Sequence, residues 1–429
     1  MSIYIYNLKK ILYNHPEKLL FYIGIFLLAS AFSIALLLLL ISLLITFIKN
    51  RTNYFQNKWN TCFFIGSLIL IFSSTINFFK SSLITLNLDK SIALIGLANW
   101  IPLIIIFIVF EEYLKFPKQR KSFSDLLLLG SFPVIISGIG QLFFQWHGPL
   151  EAFNGLIIWY QRPLTQSFEV TGLFNNPNYA GAYLNIIWPF ALASCVKKNK
   201  SIPLRIISIF FSFSIFSFLI LTGSRAAWIG MIISIPMVFG SKSFKWFLPL
   251  ILFCSTFIIA IIFPIFGEGS QDFLQSIIPK YFLADFTSEG YVNLDISRLE
   301  IWRIAIEAIT SNPILGNGAA SFPSIIENQT GFWKGHPHNL PLELAVSYGL
   351  PGALFIIIPV FIILILSVKR ILYKLDSNYE YLINERAWLT SLLILSLSQM
   401  VDIQYFDGRI SISGWLLLCG AKKMLKQNI

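Results

Sequence analysis

The sequence predicts an all-α, polytopic integral membrane protein of about twelve transmembrane helices, and three observations carry that prediction. Of its 429 residues, 56% are apolar and only 12% are charged, about half the charged share of an ordinary globular domain. Apolar runs recur from residue 19 to residue 421, several of them as long as the ~20 residues that cross a bilayer. The net charge of +11 is spread unevenly along the chain, in the manner of a topology signal rather than of a nucleic-acid surface. A cytosolic enzyme is thereby excluded, and a nucleic-acid partner is not expected.

The charge-poor runs fall near residues 19–48, 60–79, 91–110, 124–147, 176–196, 206–222, 226–240, 246–266, 341–368, 387–404 and 410–421. The first is too long for one crossing and is flanked by Lys9, Lys10 and Lys18 before it and Lys49, Arg51 and Lys58 after it. Basic flanks favour the cytoplasmic side, so this run is expected to fold as a tight helical hairpin turning near Ser30–Ser33, which makes twelve crossings. With both termini cytoplasmic, the inner segments carry 23 of the 32 basic residues and 6 of the 21 acidic ones. The four cysteines, Cys62, Cys195, Cys254 and Cys419, lie in or at the ends of apolar runs without C-x-x-C spacing and read as small core residues.

Two external segments stand out by length, residues 148–171 and residues 267–340. Loops this long are usually functional or disordered, and the second has the mixed composition of a folded surface segment rather than a disordered one. Within it Ser297 and Glu300 have capping-box spacing, and Leu299, Trp302, Ile306 and Ile309 form an apolar helical stripe that ends at Asn312-Pro313. Arg298 then occupies the helix N-terminus, where free N–H groups and the dipole favour an anion such as phosphate. Arg303 offers a further cation one turn on, although with Glu307 it also reads as a plain exposed ion pair. Arg225, in the short external turn Thr222-Gly223-Ser224-Arg225, is either a snorkelling residue or the second half of a diphosphate clamp, with the Gly-Ser amides open beside it.

Of the four histidines, His15 is expected to be idle and His147 to be interfacial. His336-Pro337-His338-Asn339 lies where the large loop enters the next span. A histidine there can remove a proton near neutral pH, Asn339 can cap the helix, and Glu343 is near enough in sequence to orient the imidazole. Two histidines at i and i+2 need a third metal ligand, and none is close in sequence, so no metal is expected. D-x-D, P-loop, G-x-G-x-x-G and G-x-S-x-G patterns are absent, and Gly316-Asn317-Gly318 reads as a turn. Arginines, histidines and amides remain, a set able to stabilise a phosphate leaving group and activate a hydroxyl without metal.

These residues resemble a known family. His338-Asn339 followed after nine residues by Gly349-Leu350-Pro351-Gly352 is similar to the H-N-x9-G-x-x-G signature of the O-antigen ligase and polymerase superfamily. Gly172-Leu173-Phe174-Asn175-Asn176-Pro177-Asn178 with Ala180, the Ser224-Arg225 turn, and Arg298 with Trp302 leading to Gly316-Asn317-Gly318 are similar to it in the same order, over roughly residues 170–355. The resemblance implies a metal-independent, inverting membrane glycosyltransferase of the bacterial inner membrane, without cofactor. Its donor is a glycan on undecaprenyl diphosphate, and its acceptor is a hydroxyl of a glycan, lipid or protein. It implies His338 as base and Arg225 and Arg298 as diphosphate ligands; His336, Asn339, Glu343, Arg303 and Asn178 are the substrate-contact candidates. Leu340-Pro341 departs from the usual tyrosine-bearing continuation, which bears on acceptor handling. One branch of the superfamily has been described as inorganic-carbon transporters. The alternative reading is therefore a secondary transporter of a small anion such as bicarbonate, with Asp125 and Glu343 as intramembrane acids.

Overall fold

The computed structural model describes residues 15–49, 54–79, 91–164, 169–196, 201–240, 243–263, 265, 267–277, 296–373 and 379–426. Of the described residues, 78% are helical. Among the described residues, seven helical stretches are long and apolar enough to cross a membrane: Phe32–Lys49, Lys58–Phe79, Ser91–Tyr113, Pro117–Phe144, Pro177–Val196, Ile202–Leu221 and Leu340–Arg370.

The long first run is two helices, α1 (Pro16–Leu27) and α2 (Phe32–Lys49). They are antiparallel: Ser42 Oγ donates to the Glu17 carbonyl at 2.6 Å, and Lys49 Nζ pairs with the Glu17 carboxylate at 2.7 Å. Gly24 lets α2 approach, since a Cβ there would lie 2.8 Å from Leu39. At twelve residues α1 is ~18 Å long, shorter than the hydrocarbon layer. After α3 (Lys58–Phe79) the chain continues through α4 (Ser91–Ile95), α5 (Ile101–Val109), α6 (Pro117–Gly130) and α7 (Phe132–Phe144). An antiparallel ribbon of β1 (Leu150–Ala152) and β2 (Ile157–Trp159) departs from the all-α expectation. It is fastened to the hairpin turn by Trp159 Nε1 donating to the Ser30 carbonyl at 2.6 Å.

Helix α8 (Pro177–Val196) is central. Thirteen of its 20 residues are buried, against four of 20 in α9 (Ile202–Leu221). Small residues, including Ala180, Gly181, Ala182 and Ala191, let neighbours approach it closely, as interfaces between membrane helices require. It packs against α10 (Arg225–Phe239) and α16 (Tyr379–Ser398). Helices α11 (Phe244–Ile262), α12 (Glu268–Ile277), α13 (Arg298–Ser311) and α14 (Phe322–Thr330) follow α10 in the chain, and α17 (Gly408–Lys426) closes it.

Helix α15 (Leu340–Tyr373) is broken at Gly349, where φ is 79° and ψ is 168°. The turn after α13 is stitched into the break: Leu350 N–H donates to the Pro313 carbonyl at 2.7 Å, Asn317 N–H to Val346 at 2.7 Å and Gly318 N–H to Ser347 at 3.0 Å. Ser73 Oγ and Asn77 Nδ2 of α3 donate to the Leu315 carbonyl at 2.6 and 2.9 Å. Irregular backbone inside a membrane bundle survives only with its polar groups satisfied in this way. A Cβ at Gly349 would sit 2.2 Å from the Ile314 carbonyl oxygen, so the first glycine of the G-x-x-G pattern is required by close approach as well as by its φ.

Candidate functional site

The starts of α8, α10, α13, α15 and α17 and the end of α16 gather at one end of the bundle. Ser297 caps α13, its hydroxyl accepting from Glu300 N–H at 3.2 Å, and the helix stops at Asn312 as the sequence predicts. The buried face is Ile301, Ile304, Ala305, Ala308 and Ile309, whereas Leu299 is 76% and Ile306 53% exposed. The predicted stripe is thus corrected: of Leu299, Trp302, Ile306 and Ile309, only Ile309 lies on the buried face. Arg298 and Trp302, one turn apart, form the edge that reads the neighbouring turns. Arg298 Nη1 donates to the Val401 carbonyl, and Trp302 Nε1 donates to the Pro337 carbonyl at 3.0 Å. Arg303 is exposed and paired with both Glu300 and Glu307.

Asn339 caps α15, its Oδ1 accepting from Leu342 N–H at 3.0 Å while its Nδ2 donates to the Met400 carbonyl at 3.0 Å. His338 precedes it with φ 52°, a left-handed conformation uncommon for a residue with a side chain and concentrated at functional sites. Its Nδ1 lies 2.9 Å from Asp402 Oδ1. The orienting acid is therefore Asp402 and not Glu343, which is buried on α15 with its Oε1 accepting from Ser347 Oγ at 2.9 Å. Asp402 is itself fixed, by Ile403 N–H on Oδ1 at 3.0 Å and Gln404 Nε2 on Oδ2 at 3.2 Å. Burial alone would raise the Asp402 carboxyl. The hydrogen bond from His338, the charges of the two imidazoles and the Ile403 amide outweigh it and hold the group below its ordinary value. An ionised carboxylate only accepts, so His338 Nδ1 is the donor and Nε2 is the basic nitrogen.

His336 stacks edge-on to His338 with ring centroids 4.6 Å apart, and its Nδ1 accepts the His338 N–H at 3.2 Å. Burial, then the neighbouring His338, push His336 down to about 4. Asp402 is the residue that the sequence reading missed. Its only signal is an acid near the end of the 387–404 run, just before the polar turn to the last run.

The remaining predicted residues reach this end by way of α8. The charges of Asp407 and Asp402 act on Tyr179, and two residues later a Cβ on Gly181 would touch Ala227, Ser224 and Thr222. The turn that bears Arg225 therefore packs beside the start of α8. Arg225 is exposed as the first residue of α10, and the hydrogen bonds that unite Arg298, His338 and Asp402 do not include it. The amides expected to be open beside it are used: Gly223 N–H donates to Ile220 at 3.2 Å and Ser224 N–H to Thr222 Oγ1 at 3.3 Å. Asn178 is held through its backbone N–H on Asn176 Oδ1 at 2.8 Å. Arg409 of α17, paired with Asp407, donates to the Leu173 carbonyl at 3.0 Å and lies 3.6 Å over the Phe174 ring, locking the 172–178 stretch in place. Asp125 is half-exposed and paired with Lys121, which removes it as a buried proton site.

Beside the histidines, an apolar groove of about 140 Å³ runs between α15, α16 and α17. It begins at Leu340 and Met400 and descends to Leu364 and Leu418, with Gln399 and Ser396 among its few polar residues.

Fold and site together define a polytopic helical membrane protein with a histidine–carboxylate pair at one end and an apolar groove leading from it. Residues 210–357, about a third of the chain, match the family described as O-Antigen ligase. The match supports an O-antigen ligase superfamily membrane protein, of a family that transfers glycans as ligases and polymerases. The matched segment contains Arg225, Arg298, His338 and Gly349 and ends before Asp402. No curated protein matches the chain.

Proposed function

We propose that the protein is a metal-independent, inverting glycosyltransferase that moves a glycan from an undecaprenyl-diphosphate donor to an acceptor hydroxyl. The observation that carries this reading is the His338–Asp402 pair at 2.9 Å with Arg298 tied to the same turn. Nε2 of His338 takes the proton of the acceptor hydroxyl as its oxygen attacks the anomeric carbon. The bond from that carbon to phosphate oxygen breaks with inversion, and undecaprenyl diphosphate leaves. Arg298, with Arg225 from the neighbouring turn, neutralises the diphosphate. The isoprenoid tail of the donor lies along the apolar groove, whose lining of leucine, isoleucine and aromatic side chains suits a lipid chain.

On this reading the chain crosses a bacterial inner membrane twelve times with both termini cytoplasmic, and residues 267–340 lie outside it. The distribution of basic residues supports that orientation, as does the placement of the site and of the described termini at opposite ends of the bundle. The test is transfer from purified lipid-linked donor: wild-type protein gives glycosylated acceptor and His338→Ala gives none, whereas full transfer by the variant refutes the assignment.

One observation favours a second reading, gradient-driven transport of a small anion. Glu343 is buried, and its Oε2 has no hydrogen-bond partner among the described residues, as befits a proton-coupled acid. Flux into proteoliposomes that Glu343→Gln abolishes, without glycan product, would establish it.

A further inference from the structure

Two histidines at i and i+2 make half a metal site, and the sequence offers no third ligand beside them. The fold supplies one from 64 residues away. One nitrogen of His336, one nitrogen of His338 and a carboxylate oxygen of Asp402 lie within 4.8 Å of one another. Neighbouring ligands of a tetrahedral zinc with bonds of about 2.0–2.2 Å stand ~3.3 Å apart, and the His338–Asp402 pair, at 2.9 Å, is close to that already. All three side chains are half-buried, so water reaches a fourth position. The ligand set has an outer shell too: Gln404 Nε2 on Asp402 Oδ2 at 3.2 Å and Ile403 N–H on Oδ1 at 3.0 Å fix the carboxylate, as outer-shell partners do in built metal sites.

The geometry points to a binding site for a zinc-class divalent cation formed by His336, His338 and Asp402, whose occupancy and the proton-accepting role of His338 exclude each other. Two imidazoles and one carboxylate suit zinc and its late first-row neighbours rather than magnesium or calcium. The cation takes the place of the proton between His338 Nδ1 and Asp402, and that proton passes to His338 Nε2. His338, once ligated, has no lone pair for an acceptor hydroxyl. The Arg298 guanidinium, bonded to the Val401 carbonyl next to Asp402, opposes the cation. The binding half of this inference stands on geometry alone. The inhibitory half rests on the reading of His338 as the base.

The experiment uses the purified full-length protein, stripped with chelator and titrated with Zn²⁺ against a chromophoric chelator in the absence of substrates. One ion binds per chain. His336→Gln and Asp402→Asn each weaken binding at least about tenfold, and His147→Gln, at an exposed histidine, leaves it unchanged; thermal unfolding of each variant reports its folding. Binding by both site variants as tight as wild type, or no ion retained by wild type, overturns the site. In a second arm, transfer by the stripped enzyme falls as Zn²⁺ is added, with the midpoint of the binding curve, and returns with chelator. A stripped enzyme that is inactive until Zn²⁺ is added overturns the exclusion. Stripped enzyme inactive with and without Zn²⁺ refutes the transferase reading instead, and the binding result stands apart from it.

Discussion

The two ends of the bundle handle charge in opposite ways. At the end opposite the site, Lys422 is fully buried, bonded to Asn60 Oδ1 at 2.8 Å and Glu111 at 2.6 Å, and lies 4.0 Å over the Phe107 ring. Arg120, also buried, grips both oxygens of Glu385 at 3.1 and 2.7 Å and donates to the Leu114 and Lys115 carbonyls at 2.9 Å. There the charges are spent on one another. At the site end, His338 uses one ring nitrogen and keeps the other, and Arg298 is exposed and bonded through Nη1 alone among the described residues. Charge that is buried and fully paired holds helices in register. Charge left half-satisfied beside solvent is available for a substrate.

That contrast can be broken from either side. The largest effect is expected of His338→Ala, with transfer down roughly 10²–10⁴-fold and the thermal midpoint of unfolding unmoved. Glu385→Ala does the reverse: it strands a buried guanidinium, costs about 3–5 kcal/mol of stability and leaves transfer per folded molecule unchanged, as activity and thermal unfolding of the same preparation would report. Arg298→Lys lowers kcat/KM roughly tenfold, because an ammonium cannot replace a planar fork on diphosphate, and steady-state kinetics over donor concentration measure it.

The smallest effect is on pH dependence. His336 titrates near 6.5 when free and at about 4 in the fold, so between those values the unfolded chain binds more protons. Stability is full above about pH 6.5 and declines as pH falls toward about 4. His336→Gln flattens that decline, and a slope unchanged in the variant would show that His336 is not its source.

Much of the architecture was legible in the sequence because it is local. The Ser297 and Asn339 caps, the hairpin turn before Phe32 and the Gly316–Gly318 turn are written in neighbouring residues. Two kinds of feature were not. The stripe on α13 was assigned to the wrong face because outward surfaces of this protein are themselves apolar, so hydrophobic period alone does not tell inside from outside; Leu299 and Ile306 show it. Asp402 escaped because its meaning is set by a partner far along the chain, and with it went both the orienter of His338 and the third ligand that the two histidines lacked. Glu343, four residues beyond Asn339, was the nearest acid that local reading offered, and it faces Ser347 instead.

The central claim is that Asp402 acts through His338 as one unit. Transfer rates of wild type, His338→Ala, Asp402→Ala and the double variant test it directly. Groups that work as a unit are not additive, so the double variant should be no slower than His338→Ala alone. Losses that multiply would contradict the account, because Asp402 would then serve transfer by a route that does not pass through the imidazole.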